Sequence, residues 1–131
     1  MTAPVILSGI QPSGIIHIGN YFGALRPWFV TQAQYQNFFS IVDLHAVTTW
    51  QDPVLLRGQT RQLAAIYLAA GLDPGRSVIF VQSHVRAHVE LSWLLTCVTP
   101  MGWLGRMTQF KEKSGDTEAE SVGAGLLNYP L

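Results

Sequence analysis

The segment that most constrains the fold is an apolar run near the N-terminus that leads into a polar turn. Residues 5–7 are apolar, residues 8–16 contain one proline and two glycines, and His17 precedes a run of helical composition. This order predicts a strand, a turn and a helix beginning near Gly19. A helix N-terminus after a strand presents backbone N–H groups and partial positive charge, which suits a phosphate group. An ordinary connection without a ligand stays open at this point, because neither Gly-x-Gly-x-x-Gly nor a P-loop motif occurs.

Three glycines of this segment have separate predicted tasks. Gly9 is expected to let the chain leave the strand at an unusual φ, and Gly14, after Pro12 and Ser13, suits a turn that needs a positive φ. Gly19 stands at the predicted helix start, where the absence of a side chain leaves space for a ligand to approach the backbone.

Strand and helix patterns alternate along the rest of the chain. Strands are predicted over residues 5–8, 38–42 and 78–81; helices over 19–34, 52–70, 87–98 and 101–110; a polar loop over 114–121; and the start of a further helix over 123–131. Pro27 is expected to kink the first helix or end its first half. Short apolar strands joined by helices predict an α/β fold with a parallel sheet buried on both faces.

The composition excludes several classes of protein. Only 12% of the 131 residues are charged, 48% are hydrophobic and the net charge is zero, so we expect part of the apolar surface to be covered by a partner or by further sequence. The apolar runs are too short to span a membrane, and Cys97 is the only cysteine, which excludes an internal disulfide. With no secretory signal, the expected compartment is the cytosol. The scattered basic residues make this segment a poor main contact for nucleic acid.

Polar side chains follow each predicted strand, where ligands of parallel sheets bind. Because the carboxyl ends of parallel strands share one edge, these residues are expected to line one crevice: Gln11, Asp43, His45, Gln82, Ser83 and His84. A metal site at the Asp-x-His pair would lack a third ligand. The pair His84 and His88 lacks the glutamate of a His-Glu-x-x-His motif, so ordinary polar roles are favoured there.

The exact sequence of these segments resembles one known family. The strings are SGIQPSG at 8–14, HIGNYFGA at 17–24, IVDLHA at 41–46, TWQDP at 49–53, FVQS at 80–83 and MTQFKEKS at 107–114. Together they are similar to the tryptophanyl-tRNA synthetases of class I, whose His-Ile-Gly-His motif is present with Asn20 in the fourth place. The resemblance extends over essentially the whole chain.

The resemblance implies a fold, a reaction and a set of partners. It implies the first half of a class I Rossmann-like nucleotide-binding fold, with residues 1–131 forming the N-terminal portion of the catalytic domain and the rest of that domain and the anticodon-binding domain absent. It implies ATP-dependent activation of L-tryptophan and transfer to tRNA(Trp), with Mg²⁺ carried by ATP. The expected assembly is a homodimer without membrane association.

The same resemblance implies the site residues. Residues expected to contact ATP are Gln11, Pro12, Ser13, His17, Gly19, Asn20, Lys111 and Lys113. Residues expected to contact tryptophan are Leu7, Gln11, Val42, His45 and Tyr129. Catalytic roles fall to Gln11, His17 and Asn20. His17 and Asn20 would donate hydrogen bonds as charge develops on the phosphates, and Gln11 would contact ATP and orient the amine or carboxylate of the amino acid.

Other interpretations stay open from the residues themselves. The chain could belong to the tyrosyl enzyme or to another nucleotidyltransferase with a His-x-Gly-x motif, or it could be a non-catalytic truncated binding module. Lys111 and Lys113 could be a solvated helix end. The helically spaced residues Met101, Trp103, Leu104 and Met107 favour a core or subunit contact over a cofactor site.

Overall fold

A three-stranded parallel sheet forms the centre of the chain. The structure is a computed structural model and describes residues 3–107 and 123–131. The strands are β1 (Val5–Ile10), β2 (Gln36–Ile41) and β3 (Ser77–Val81), in the order β1-β2-β3. The α/β class and the parallel sheet are therefore confirmed, although each strand differs from its predicted bounds by one or two residues at an end.

Helical segments connect the strands and follow the sheet. They are α1 (Ile18–Asn20), a π-helical segment (Tyr21–Leu25), α2 (Arg26–Thr31), α3 (Asp43–Ala46), α4 (Pro53–Ala69), a 3-10 turn (Gln82–His84), α5 (Arg86–Val98), α6 (Met101–Leu104) and α7 (Ala124–Asn128). The helix predicted over 101–110 ends earlier, at Leu104. Residues 108–110 and the predicted loop over 114–121 lie outside the described residues.

Pro27 disturbs the first helix as expected, but the disturbance lies in the turn before it. A proline inside a helix has no N–H, and its ring clashes with the carbonyl four residues earlier. Here the preceding turn widens into the π-helical segment Tyr21–Leu25, in which the N–H of Arg26 donates to the carbonyl of Tyr21. The wider turn accommodates Pro27, and the helix continues to Thr31.

The ends of α4 follow from its sequence. The Asp52 side chain accepts hydrogen bonds from the N–H groups of Val54 at 2.7 Å and Leu55 at 3.1 Å, and Pro53 occupies the first turn, where no N–H partner is needed. Gly71 follows the helix with φ of 108°, a conformation that favours glycine. Both predicted boundary signals are confirmed.

One face of the sheet carries the hydrophobic core. Trp28 of α2 stacks on Phe39 of β2 with ring centroids 4.5 Å apart and meets the ring of Tyr67 edge-on at 5.4 Å. The buried cluster consists of Ile10, Leu25, Trp28, Phe39, Ile41, Leu63, Tyr67 and Leu72. Helices α2 and α4 thus cover this face.

The opposite face is open in part, and the expectation that both faces are buried is wrong there. Leu7, Phe38 and Val78 form one row across the sheet, and Leu7 is 66% exposed and Val78 51% exposed. Phe80 lies on the same face, two residues after Val78, and its ring meets that of His88 of α5 with centroids 5.8 Å apart. The cover of this face within the described residues is therefore partial, and the row itself stays largely exposed.

Tyr67 joins the first two strands at their carboxyl ends. Its hydroxyl accepts a hydrogen bond from the N–H of Ile10 at 3.0 Å and donates one to the carbonyl of Ser40 at 3.0 Å. The side chain is fully buried, and burial raises the pKa of the Tyr67 hydroxyl above its ordinary value, although the bond from Ile10 opposes that shift. The hydroxyl therefore stays protonated and bridges β1 to β2 immediately before Gln11.

Replacing Tyr67 by Phe is expected to lower the free energy of unfolding, measured by urea denaturation. The substitution leaves a buried N–H on Ile10 and a buried carbonyl on Ser40 without this partner, at a cost of about 1–3 kcal/mol for an unsatisfied group. Because the pKa of the Tyr67 hydroxyl is raised in the folded state, the hydroxyl contributes fully to the free energy of unfolding below pH about 10. This contribution declines as the pH rises further. Tyr35→Phe is the control, since the Tyr35 hydroxyl has no hydrogen bond to the described residues. Equal stability of both variants at pH 7 would contradict this role.

Candidate functional site

His17 and Asn20 form a reciprocal cap at the start of α1. The Nδ1 atom of His17 accepts a hydrogen bond from the N–H of Gly19 at 3.1 Å, and the Oδ1 atom of Asn20 accepts one from the N–H of His17 at 3.1 Å. This is the geometry of a capping box, in which both side chains satisfy backbone donors. The two motif residues are therefore fixed relative to each other at the first turn.

The cap determines which groups these side chains can offer to a ligand. Because Nδ1 of His17 accepts a hydrogen bond, the proton of the neutral ring is on Nε2. The Oδ1 atom of Asn20 is used in the cap, so its amide nitrogen retains both donors. His17 is exposed and Asn20 is half-buried. The pair thus offers hydrogen-bond donors at the position that the sequence predicted for a phosphate group.

The turn before this cap agrees with one glycine prediction and corrects another. Gly14 has φ of 78°, as expected. Gly9 has no positive φ and lies inside β1, so the expected unusual φ is wrong. Its task is close packing, since a Cβ at this position would lie 2.7 Å from the carbonyl oxygen of Ser40 and 2.9 Å from Cγ1 of Val42.

The three residues that follow β1 lie between the strand and the turn at Gly14. Pro12 is buried, Ser13 is exposed and Gln11 is half-buried. The Gln11 side chain has no hydrogen bond to the residues that the structure describes, so its amide retains its full capacity to donate and accept.

Asp43 connects the carboxyl ends of β2 and β3. Its Oδ2 atom accepts from the Ser83 hydroxyl at 2.6 Å, and its Oδ1 atom accepts from the N–H groups of Ser83 at 3.0 Å and Leu44 at 3.1 Å. Hydrogen bonds to an ionised carboxylate are stronger than those between neutral groups. The predicted meeting of these two strand ends is confirmed, with Asp43 in a structural position.

His45 brings a second pair of predicted residues together. Its Nδ1 atom donates to Oε1 of Gln82 at 3.3 Å, and its ring meets the ring of Tyr129 edge-on with centroids 5.4 Å apart. Tyr129 follows α7 at the end of the chain, so this contact joins distant parts of the sequence. The sheet places Leu7 and Val42 on one face, and Val42 closely approaches Gly9.

Some predicted features are not brought together. Lys111 and Lys113 lie outside the described residues. In the helically spaced group 101–107, Leu104 is buried whereas Met101 and Trp103 are more than 60% exposed, so the core interpretation holds for Leu104 alone.

Residues 3–107 and 123–131 contain no group of three His, Cys, Asp or Glu side chains that could hold a metal ion. None of the helices in those ranges has both the length and the hydropathy needed to cross a bilayer.

Sequence reasoning missed a cavity of about 470 Å³ beside α4 and the bridging role of the Tyr67 hydroxyl. The cavity is lined by Asp43, Pro53, Leu56, Arg57, Thr60, Arg61, Val81 and His84. The spacing of Arg57 and Arg61, four residues apart on a predicted helix, was a signal for a basic face. No sequence pattern indicates that a tyrosine will bond to two strands.

Comparison with known proteins assigns the chain to a family. The family model for class I tRNA synthetases (W and Y) matches residues 2–131. The chain belongs to this family. It is similar to the tryptophan–tRNA ligase of Thermosynechococcus vestitus, with 56% identity over 126 residues, 96% of this chain and 38% of the relative. It is also similar to the tryptophan–tRNA ligase of Synechocystis sp., with 56% identity over 131 residues, 100% of this chain and 39% of the relative.

Solved structures of class I synthetases support the same assignment. The tryptophanyl-tRNA synthetase of Campylobacter jejuni matches with a TM-score of 0.88 at 41% identity, over 98% of this chain and 40% of that one. The enzyme from Mycoplasma pneumoniae matches with a TM-score of 0.91 at 36% identity, over 99% of this chain and 39% of that one. These matches confirm the Rossmann-like fold. The chain spans about two-fifths of the length of these relatives.

In this class I chain, Gly19→Ala is expected to release the His17 ring from its cap. A Cβ at residue 19 would lie 2.9 Å from Cε1 and 3.0 Å from Nδ1 of His17, so the ring must move. The expected result is weaker protection of the residue-19 amide in hydrogen exchange and a loss of about 1 kcal/mol in helix-cap stability. Gly23→Ala is the matched control, because a Cβ there meets no atom within 4 Å. Unchanged protection in Gly19→Ala would disprove this account of the cap.

Proposed function

We propose that this chain is the ATP- and tryptophan-binding part of a tryptophan–tRNA ligase. The reaction is ATP-dependent activation of L-tryptophan to tryptophanyl-adenylate, followed by transfer to tRNA(Trp). The observation that carries the proposal is the position of two residue clusters, the His17–Asn20 cap and the His45–Gln82–Tyr129 group, beyond the ends of parallel strands. The 56% identity to ligases of this specificity supports the choice of amino acid.

The activation step needs positioning and stabilisation of charge. The tryptophan carboxylate attacks the α-phosphate of ATP, a new oxygen–phosphorus bond forms, and pyrophosphate leaves. Nε2–H of His17 and the amide of Asn20 donate hydrogen bonds to phosphate oxygens as charge shifts to the leaving group. The backbone from Pro12 to Gly19 surrounds the nucleotide, and Lys111 and Lys113 add positive charge to the same phosphates.

Mg²⁺ enters this reaction with ATP. Residues 8–20 contain no carboxylate, so the cap offers hydrogen-bond donors and no hard anionic ligand. This donor set fits a magnesium ion that stays on the phosphate oxygens while the chain holds the nucleotide. The metal would neutralise phosphate charge, and the residues of the cap would orient the α-phosphate.

The amino acid occupies the other cluster. Leu7 and Val42 supply apolar contact on one sheet face, and His45 with Tyr129 supplies aromatic edges for an indole. Gln11 follows β1 between the two clusters. Its amide can accept from the ammonium group of tryptophan and donate to a carboxylate or phosphate oxygen, which makes it the link between the two substrates.

The assembly and the compartment are part of this proposal. Helices α5 and α6 expose a group of large apolar side chains: Val89, Leu91, Trp93, Leu94, Val98, Met101 and Trp103. An apolar surface of this kind is typical of a protein interface, and we assign it to a homodimer contact in the cytoplasm.

The alternatives from the sequence can be separated from this proposal. The likeness to the tyrosyl-tRNA synthetase of Archaeoglobus fulgidus, at 19% identity and a TM-score of 0.78, shows the shared fold alone. A tyrosyl enzyme would activate tyrosine in preference to tryptophan. A non-catalytic module would bind ATP without exchange activity in any longer protein.

The 131-residue chain by itself is expected to catalyse tryptophan-dependent ATP–pyrophosphate exchange very slowly. A chimaera in which it replaces the matching 131 residues of the Synechocystis ligase is expected to restore the exchange, with tryptophan preferred over tyrosine. His17→Ala in the chimaera should lower the exchange rate by about 10²–10³-fold, the usual effect of losing one such donor.

The control variant is His88→Ala, which changes a histidine of α5 outside both clusters and should leave exchange near the parent rate. A chimaera that folds and binds ATP but never exchanges would disprove the proposed function. A rapid exchange by the isolated chain would show that the activating machinery is complete within it.

A further inference from the structure

The cavity beside α4 is distinct from both clusters used in the proposed activation step. It lies between the first half of α4 and the carboxyl ends of β2 and β3, with a volume of about 470 Å³. Val81 and Leu56 give it an apolar wall, and His84 and the two arginines give it a polar one. Its volume lies within the range of small-ligand sites, about 300–1,000 Å³.

Two arginines that line this cavity form no ion pair with another residue in the described ranges. Arg57 and Arg61 stand four residues apart on α4, which puts them on one face of the helix, about 6 Å apart at Cβ. Within the part of the chain that the structure describes, the ion pair found is Arg76 with Asp73, at 3.4 Å. The two cavity arginines therefore keep their hydrogen-bond donors available.

The one carboxylate in the cavity wall is already engaged. Asp43 accepts two hydrogen bonds from Ser83 and one from the N–H of Leu44. These bonds fix it to the strand ends and reduce its capacity to bind the guanidinium groups. The lining holds two guanidinium groups against this single carboxylate, so the balance of charge favours an anionic ligand. Planar guanidinium groups match phosphate oxygens in paired hydrogen bonds.

An exposed aromatic side chain stands close in sequence to the lining of this cavity. Trp50 is 87% exposed and is three residues before Pro53, which lines the cavity, so their Cα atoms are at most about 11 Å apart. Arginine side chains and exposed aromatic rings are the groups with which proteins bind single-stranded nucleic acid. Base stacking on an aromatic ring contributes about 1–3 kcal/mol per base, and phosphates pair with arginine.

We propose that Arg57, Arg61 and Trp50 bind the single-stranded 3′ end of the tRNA, the arginines through its phosphates and the indole through a base. This inference rests on the proposed function, since it names where one substrate of that reaction docks. Asp43 in the cavity wall is two residues before His45 and accepts a hydrogen bond from Ser83, the residue after Gln82. A tRNA 3′ end bound in the cavity would be adjacent to the site of activation, where its terminal hydroxyl must react.

The test compares two reactions of the same chimaera. Arg57→Gln with Arg61→Gln, and separately Trp50→Ala, should leave ATP–pyrophosphate exchange within about twofold of the parent, because exchange needs no tRNA. In aminoacylation they should raise the KM for tRNA by about tenfold or more, with a smaller change in kcat, as expected when hydrogen bonds to charged groups are removed. The double variant should also reduce the salt dependence of tRNA binding by about 0.7 for each phosphate that is no longer neutralised.

Arg76→Gln is the matched control, because this arginine is exposed, paired with Asp73 and located at the other end of β3. An unchanged KM for tRNA in the double variant would overturn the inference, and so would a parallel loss of exchange, which would place the arginines in the activation site. If the parent chimaera does not exchange, the proposed function has failed. Fluorescence anisotropy of a labelled RNA ending in CCA, with the 131-residue chain and its variants, then decides the inference separately: equal affinities reject it.

Discussion

The bridge that the Tyr67 hydroxyl makes between β1 and β2 is the contact on which the rest of the site depends. It reaches from α4 through the core to the last residues of the two strands. Ile10 is followed directly by Gln11, and Ser40 is followed after one residue by Val42. A single buried hydroxyl on α4 thus helps to fix the positions of Gln11, which is proposed to contact ATP, and Val42, which is proposed to contact tryptophan. Burial keeps that hydroxyl protonated, which allows it to donate and accept at once.

The parallel arrangement of the sheet brings the candidate site residues together. All three strands present their carboxyl ends at one edge, so the residues that follow them meet although they are distant in sequence. Asp43 fixes the ends of β2 and β3 by charge-assisted hydrogen bonds, and His45 reaches both Gln82 and Tyr129. The ring contact with Tyr129 also holds the last residues of the chain near this edge. The candidate site residues are therefore concentrated at one edge of the sheet, while the core lies beneath one of its faces.

The sequence predicted features that depend on neighbouring residues, such as the bounds of a helix. It was less successful for features that depend on contacts between residues distant in sequence. Asp52, Pro53 and Gly71 act on their own neighbours, and the bounds of α4 followed from them. The prediction for Gly9 was wrong because the reason for its lack of a side chain is the approach of Ser40 and Val42 from the next strand. The exposed row of Leu7, Phe38 and Val78 could not be predicted either, since an apolar strand has the same sequence pattern whether one face or both are covered.

By itself, the sequence determined the class of fold, the family and the residues that form the predicted phosphate-binding turn, because these follow from short motifs and from the alternation of strand and helix. The tertiary structure alone decided how those residues are used. It set the hydrogen-bonding state of His17 through a cap, gave Tyr67 two backbone partners, and placed Arg57 and Arg61 in a cavity beside the strand ends. The physical reason is that each of these features depends on distances between atoms that folding brings together.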